Sequence, residues 1–339
     1  MFLSISPRLA ALGACLATML VAMTDARADL EVVVSIKPIH SLVAGVMEGD
    51  LAPKLIVDGS ASPHSYSLRP SGAQRLQDAD LIFWVGHNLE SFLEKPIASH
   101  GPRAAVVELM DVPGVDLLPI RTGATFETHD HGHDEHEDEH ANDEKHEDHD
   151  DHEEHASSEE HGHHDDDANP HIWLDPVNAQ ALVRAIAEAL ITADPEHAPL
   201  YAANAQSMHE RIEALSAELD ATLAPARGRP FFVFHDAYQY MERRFGLTAA
   251  GSVTLNAEVS PGAGRIREIA EKIRTLEATC VFSEPQFSPK LVNVVTAHTA
   301  TKTGVLDPLG TGIPAGPDLY FTLMRNMAAS IRACLSPTG

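Results

Sequence analysis

The chain has 339 residues, 44% of them hydrophobic and 22% charged, with a formal net charge of −26. That length suits one large or two ordinary domains with cores of their own, and the acidic balance leaves no basic face for a nucleic-acid backbone, so nucleic acid is not an expected partner. The acidity is concentrated: positions 127–167 hold twenty acidic residues and one Lys, a net −19, which leaves −7 for everything else.

In chain order, Arg8 precedes an apolar run from Leu9 to Met23, followed by Ala26-Arg27-Ala28. A short cationic start, an apolar stretch and a small-x-small site describe a secretory signal peptide over residues 1–28, cut before Asp29. Leu12-Gly13-Ala14-Cys15 is superficially a lipoprotein box, but it leaves only about four apolar residues ahead of its cut, short for an h-region. No other segment approaches the ~20 apolar residues that span a bilayer. An exported, soluble mature chain is the expectation.

Residues 29–193 are expected to form a first lobe. Short β-branched or aromatic runs at Glu31–Ile36, Lys54–Val57, Leu81–Val85 and Ala104–Glu108 alternate with helical stretches around Pro38–Met47, Ser71–Gln77 and Leu89–Ser99, the grammar of a parallel sheet wrapped by helices. Within this lobe lies 122–168, a tract of His, Asp and Glu with few apolar residues. It cannot bury enough surface to offset its chain entropy, so a disordered inserted loop is expected. Two helices follow, Pro176–Thr192 and Pro195–Leu223. The second places Leu200, Ala203, Met208, Ile212, Leu215, Leu219 and Leu223 at helical spacing, with Asp194 as N-cap and Pro195 as first helical residue. At 1.5 Å per residue it would run roughly 40 Å, a stiff strut beside both lobes; an ordinary surface helix of one lobe is the alternative. Residues 194–225 are thus a linking helix and 226–339 a second lobe. That lobe repeats the pattern, with strands at Phe231–Phe234, Thr248–Val253, Thr279–Ser283 and Thr303–Leu306 and helices near Asp236–Phe245, Gly262–Leu276, Pro289–Thr299 and Asp318–Cys334. The fold class is α/β: two lobes, each a mostly parallel sheet wrapped by helices, joined by a long rigid helix.

Once the signal is removed, Cys280 and Cys334 remain. An even count in an oxidising compartment makes one disulfide the default, with two free thiols as the alternative.

Twelve of the 21 histidines fall in the insertion: His129, His131, His133, His136, His140, His146, His149, His152, His155, His161, His163 and His164. Imidazole and carboxylate in that density suit weak auxiliary binding of a divalent first-row metal, zinc above all. His136-Glu137-Asp138-Glu139-His140 satisfies the metalloprotease pattern HExxH, but that pattern functions on a stable helix, and a chance match is expected in so biased a tract. The other nine are His40, His64, His87, His100, His171, His197, His209, His235 and His298. Ligands of open α/β sheets bind outside the carboxyl ends of strands, which favours His64 after the second strand, His235 directly after Phe231–Phe234, His171 before the helix at Pro176, and Asp307 after Thr303–Leu306.

The segments around these positions, Ser62-Pro63-His64-Ser65-Tyr66-Ser67-Leu68-Arg69-Pro70, Asn169-Pro170-His171-Ile172-Trp173-Leu174-Asp175-Pro176 and Val233-Phe234-His235-Asp236-Ala237-Tyr238, closely resemble the metal-binding segments of periplasmic zinc-binding proteins of ABC transporters, the ZnuA family. Asp80–Gly86, Phe282-Ser283-Glu284-Pro285-Gln286-Phe287 and Leu306–Gly310 match as well, and the resemblance covers the whole mature chain. It implies His64, His171 and His235 as zinc ligands, a rigid helix between two lobes, and a disulfide joining Cys280 to Cys334. Some zinc members carry Glu immediately before the first histidine as a fourth contact; here that position is Pro63. Asp307 matches the carboxylate that manganese and iron relatives use, and stands as a possible fourth ligand. Asp236 and Asp175 are nearby candidates for orienting the free ring nitrogens.

The function so implied is a monomeric, non-enzymatic periplasmic receptor that binds Zn2+ as cargo between its lobes and hands it to an inner-membrane permease driven by a cytoplasmic ATPase. The alternatives are the same receptor carrying manganese or iron, and a zinc hydrolase with water in the fourth position and Glu284 as base.

Overall fold

The computed structural model of the chain describes residues 30–50, 52–100, 103–121, 168–254 and 261–336. The signal peptide expected at 1–28, and all of the insertion except Ala168, lie outside them, and with them the twelve clustered histidines.

Two four-stranded parallel sheets organise the protein. The first contains β1 (Val32–Val34), β2 (Lys54–Leu55), β3 (Leu81–Trp84) and β4 (Ala105–Glu108) in the order β2-β1-β3-β4; the second contains β5 (Phe231–Val233), β6 (Ala249–Ser252), β7 (Cys280–Ser283) and β8 (Lys302–Val305) in the order β6-β5-β7-β8. The inner strands β1, β3 and β5 are buried along their whole length, as expected for apolar runs covered on both faces by helices. In each sheet the chain steps outward from the first strand to the second and then reverses to build the other side, which opens a crevice at the carboxyl ends of β1 and β3 in one sheet and of β5 and β7 in the other.

The covering helices are α1 (Lys37–Val46), α2 (Pro70–Asp78), α3 (His87–His100), α4 (Pro176–Ala193), α5 (Ala198–Leu223), α6 (Gln239–Phe245), α7 (Ala263–Thr275), α8 (Lys290–Val295) and α9 (Leu319–Leu335). The start of α4 follows the sequence grammar directly: Pro176 is the first helical residue and the Asp175 carboxylate accepts from Val177 N at 2.8 Å. The start of α5 does not. A 3-10 turn over Pro195–His197 precedes it, and the Asp194 carboxylate makes no cap hydrogen bond there. It is engaged instead with the Tyr201 hydroxyl at 3.2 Å and His197 Nδ1 at 2.6 Å. The same interaction shifts the buried stripe: Tyr201 and Ala205 face inward in the first turns, where Leu200 and Ala203 were expected, because the Tyr201 hydroxyl finds Asp50 at 2.7 Å and can be buried with its polar tip satisfied. From Met208 to Leu223 the predicted face holds.

Helix α5 packs against α1, α4 and α9, so it touches helices that belong to both sheets. Gly45 permits the α1 contact, since a Cβ there would lie 2.5 Å from Met208 Sδ. One hydrophobic core runs through the helices of both sheets, and a smaller cluster around Phe232, Ile269, Val281 and Val292 sits under α7 and α8. Polar links reinforce the join. Lys37 Nζ, buried at the start of α1, donates to Gly310 O at 2.7 Å and Ile313 O at 2.6 Å. Trp173 Nε1 donates to Pro308 O at 2.9 Å, and the Tyr320 hydroxyl donates to Trp173 O at 3.0 Å.

Cys280 of β7 and Cys334 of α9 are bridged, with Cα atoms 5.9 Å apart. The bond closes a loop of 54 residues in sequence separation. A Cys280→Ser/Cys334→Ser variant should lose about 2–4 kcal/mol of unfolding free energy by restoring freedom to the unfolded chain; chemical denaturation of the oxidised protein and the variant measures it.

Candidate metal centre

Three segments from different parts of the chain bring His64, His171 and His235 together. His64 lies in a 3-10 turn, Pro63–Ser65, beyond β2; Pro63 begins the turn and the Ser62 hydroxyl accepts from His64 N at 3.3 Å. His171 stands just before a second 3-10 turn, Ile172–Leu174, whose residues are fully buried. His235 follows β5 directly.

Candidate ligand nitrogens of all three rings lie within 4.8 Å of one another. His171 Nε2 and His235 Nε2 are 3.3 Å apart. A tetrahedral zinc ion about 2.0–2.1 Å from each imidazole nitrogen would separate its donors by about 3.3–3.4 Å, so this pair already has the length of one tetrahedral edge.

The other nitrogen of each of these two rings determines which tautomer faces the centre. His171 Nδ1 is 2.8 Å from Asn169 Oδ1, and His235 Nδ1 is 2.7 Å from Glu284 Oε1. Both oxygens can only accept, so each Nδ1 carries the proton and each Nε2 presents a lone pair. His64 Nε2 is buried without a hydrogen-bond partner. Several lone pairs converging in a buried space repel one another until a cation enters between them. Burial pushes the His64 pKa down to about 3, with the neighbouring His235 adding to the effect. Burial, then His235 and His64, holds His171 well below the ordinary imidazole range. Neutral imidazole is the form that binds metal.

The space among the rings is small, about 10 Å³, and is walled by Pro63, Trp173, Phe287, Pro308 and Leu309. That is room for an ion or a single water.

Asp307 stands apart from this cluster. Its Oδ1 accepts from Leu309 N at 3.2 Å, Gly310 N at 3.0 Å and Gln286 Nε2 at 2.8 Å, and its Oδ2 from Thr311 N at 2.6 Å. The carboxylate ties down its own turn, and it is not among the groups gathered with the three imidazoles. Asp236 and Asp175 do not orient the rings either. The Asp236 side chain pairs with Arg121, and Asp175 caps α4 while accepting from Arg244 at 2.7 and 2.8 Å. Of the remaining histidines, His40 contacts Pro53 O, His87 pairs with Glu108, and His197 pairs with Asp194.

The orienting residues are therefore Asn169 and Glu284. Asn169 carries a local signal, since an Asn two residues before a histidine can accept from both its backbone N, here at 3.1 Å, and its ring. Glu284 is visible only through strand register. Parallel β5 and β7 pair Phe231 with Cys280 and Phe232 with Val281, and the same offset carried past the strand ends sets His235 opposite Glu284.

With this geometry in view, comparison with known proteins places the chain. The sequence profile of the ZnuA family, described as the periplasmic component A of a zinc-uptake complex, matches residues 32–334. The chain belongs to the ZnuA family. It is 51% identical over 305 residues to the high-affinity zinc uptake system protein ZnuA of Brucella suis, covering 90% of this chain and 91% of that protein. The ZnuA of Paracoccus denitrificans is 38% identical over 333 residues, covering 98% and 99%. Among solved structures, a ZnuA deletion mutant with zinc bound superposes with a TM-score of 0.71 at 20% identity, covering 92% of this chain and all of that one, which speaks to the fold.

Replacing either orienting residue by Ala should weaken zinc binding about 10–100-fold, as loss of the groups behind metal ligands generally does; chelator competition on Asn169→Ala and Glu284→Ala checks this. Acidity should also act on the metal-free protein. In the interval between His64's native value of about 3 and the ordinary 6.5, the unfolded chain binds more protons than the folded one. Stability must then fall as pH is lowered from about 6.5 toward 3, and His171 acts in the same direction. Thermal melting across that window should show a shallower decline in His64→Leu than in the wild type.

Proposed function

We propose that this chain is a periplasmic zinc receptor: it captures Zn2+ on the Nε2 atoms of His171 and His235 together with the His64 ring, and delivers it to an inner-membrane permease powered by a cytoplasmic ATPase. The observation that carries this reading is the 3.3 Å edge between two imidazole nitrogens whose opposite nitrogens are both engaged. Membership of a family described as the periplasmic component of a zinc-uptake complex supports it. The chain acts as a monomer, reaches the periplasm through a signal peptide cut before Asp29, and uses the insertion's histidines as weak auxiliary sites.

Three nitrogen donors with no carboxylate among them favour zinc over manganese or iron(II), which prefer harder oxygen sites. The fourth position falls to a water rather than to Asp307, whose oxygens are taken up by its own turn and by Gln286. A hydrolase reading fares poorly on two counts. Among the described residues lining the cavity the one carboxylate, Glu284, is committed to His235, and the space of about 10 Å³ has no room for an organic substrate beside a metal.

The test is to strip the mature protein of metal and titrate it with zinc and with manganese under chelator competition, beside a His64→Ala/His171→Ala/His235→Ala variant. One tight zinc site should be present in the wild type and absent from the variant, which keeps only the weak binding of the insertion. A tight site that survives in the variant, or a preference for manganese, would defeat the assignment.

A further inference from the structure

Arg121 is the last described residue before the insertion, and Ala168, the insertion's final residue, is the next one described. The two ends are held side by side, Pro119 bridging Ala168 and Asn169 N donating to Leu118 O at 2.8 Å. From this root the Arg121 side chain reaches the second sheet's half of the protein. Its Nε donates to Asp236 Oδ2 at 2.9 Å and Oδ1 at 3.1 Å, with Nη2 also on Asp236 Oδ1. Its Nη1 and Nη2 donate to the two oxygens of Glu242, each at 2.9 Å. The three side chains are only 20%, 10% and 5% exposed, so water is a poor substitute for any of these contacts.

Asp236 is the residue after His235, and its main-chain oxygen accepts from Asn169 Nδ2 at 3.0 Å. The Asn169 side chain in turn holds the His171 ring. Gln239 closes the circuit, accepting from Asn169 Nδ2 at 3.1 Å and donating to Pro119 O at 3.1 Å. A single guanidinium outside the ligand set is thus connected to both rings of the 3.3 Å edge, to one through the peptide and to the other through an amide. Sites of this kind tolerate only about 0.5 Å of misplacement before the geometry of the ion is lost.

We propose that Arg121 is a positioning residue of the metal centre: by clamping Asp236 and Glu242 it sets the spacing of the His171 and His235 rings and so the preference for a tetrahedral ion. This rests on the zinc-receptor reading. Arginine suits the task because its planar fork can hold two carboxylates at fixed angles, which a lysine point charge cannot.

The experiment uses the full mature chain and Co2+ as probe, because tetrahedral Co2+ absorbs visible light strongly whereas the six-coordinate ion expected of loose oxygen-rich sites absorbs weakly. Arg121→Met should lower or shift the tetrahedral band and weaken zinc binding about 10–100-fold, with a smaller change for Mn2+; Arg121→Lys should recover only part of both. Arg121→Met leaves two buried carboxylates unpaired, which can unfold a protein. Arg121→Met/Asp236→Asn/Glu242→Gln removes that conflict and should show the same spectroscopic and affinity losses in a folded chain. Arg243→Met, which breaks an exposed pair with Asp116 in the same region, should leave both readouts unchanged. Arg121 variants that melt lower yet keep the wild-type Co2+ spectrum and zinc affinity would overturn the positioning role while leaving the receptor intact. A wild-type chain with no tetrahedral Co2+ band would overturn both readings together.

Discussion

Two imidazole Nε2 atoms 3.3 Å apart, each presenting a lone pair in a space that admits little water, form an arrangement that is costly for a folded protein to hold. Protonation, the ordinary relief for a histidine in that position, is suppressed at His171 and at the adjacent His64 by burial, with the neighbouring rings adding to it. The arrangement persists because acceptors behind two of the rings fix their tautomers and because the backbone carrying those acceptors is immobilised. Glu284 and His235 leave the ends of paired strands in one sheet, and Asn169 is gripped through its backbone N, its carbonyl and its amide. Repulsion in the metal-free centre is relieved when a cation enters, and that relief adds to what the ion gains from its ligands.

Such a centre needs a frame that does not relax, and the joining of the two sheets supplies it. The turn after β8 is held to the first sheet's side by Lys37, whose ammonium is satisfied by carbonyls of Gly310 and Ile313, and by Trp173 on Pro308. Helix α9 begins where Tyr320 contacts both Ser41 and Trp173, and it then lies along α1 and α5. A shared core argues against free hinging between the sheets, because separating them would expose apolar surface at about 25 cal/mol per Å².

The elements of both sheets were legible in the sequence, because alternating apolar runs and helical stripes report local structure and every expected strand and helix has its counterpart. The first turns of α5 were misread for a reason that no local pattern contains: Tyr201 is drawn inward by Asp50, a residue distant in sequence. The three histidines that the structure gathers could be picked from their place after strands and from motif resemblance, but the groups behind their rings could not all be found that way. Sequence adjacency pointed to Asp236 and Asp175. Tertiary structure commits those carboxylates to Arg121 and Arg244 and promotes Glu284, whose relation to His235 exists only once β5 and β7 are in register. Asp307 shows the same limit, its position after β8 suggesting a ligand while its own turn consumes its oxygens.

The three rings are not equivalent, and for a cargo site the inequality matters more than the average. His171 and His235 are braced, one by an amide and one by a carboxylate, and belong to segments locked into the core. Among the described residues no hydrogen bond holds the His64 ring; its turn is secured at the backbone through Ser62, with Pro63 buried, Ser62 half-buried and Ser65 exposed. Two donors braced from behind and a third held only through the backbone of its turn make the centre asymmetric before any ion enters. A structural zinc is closed by four protein ligands; the three imidazoles gathered here, with no fourth protein group among the described residues, leave one position open, as suits an ion that is cargo and not a permanent part of the fold.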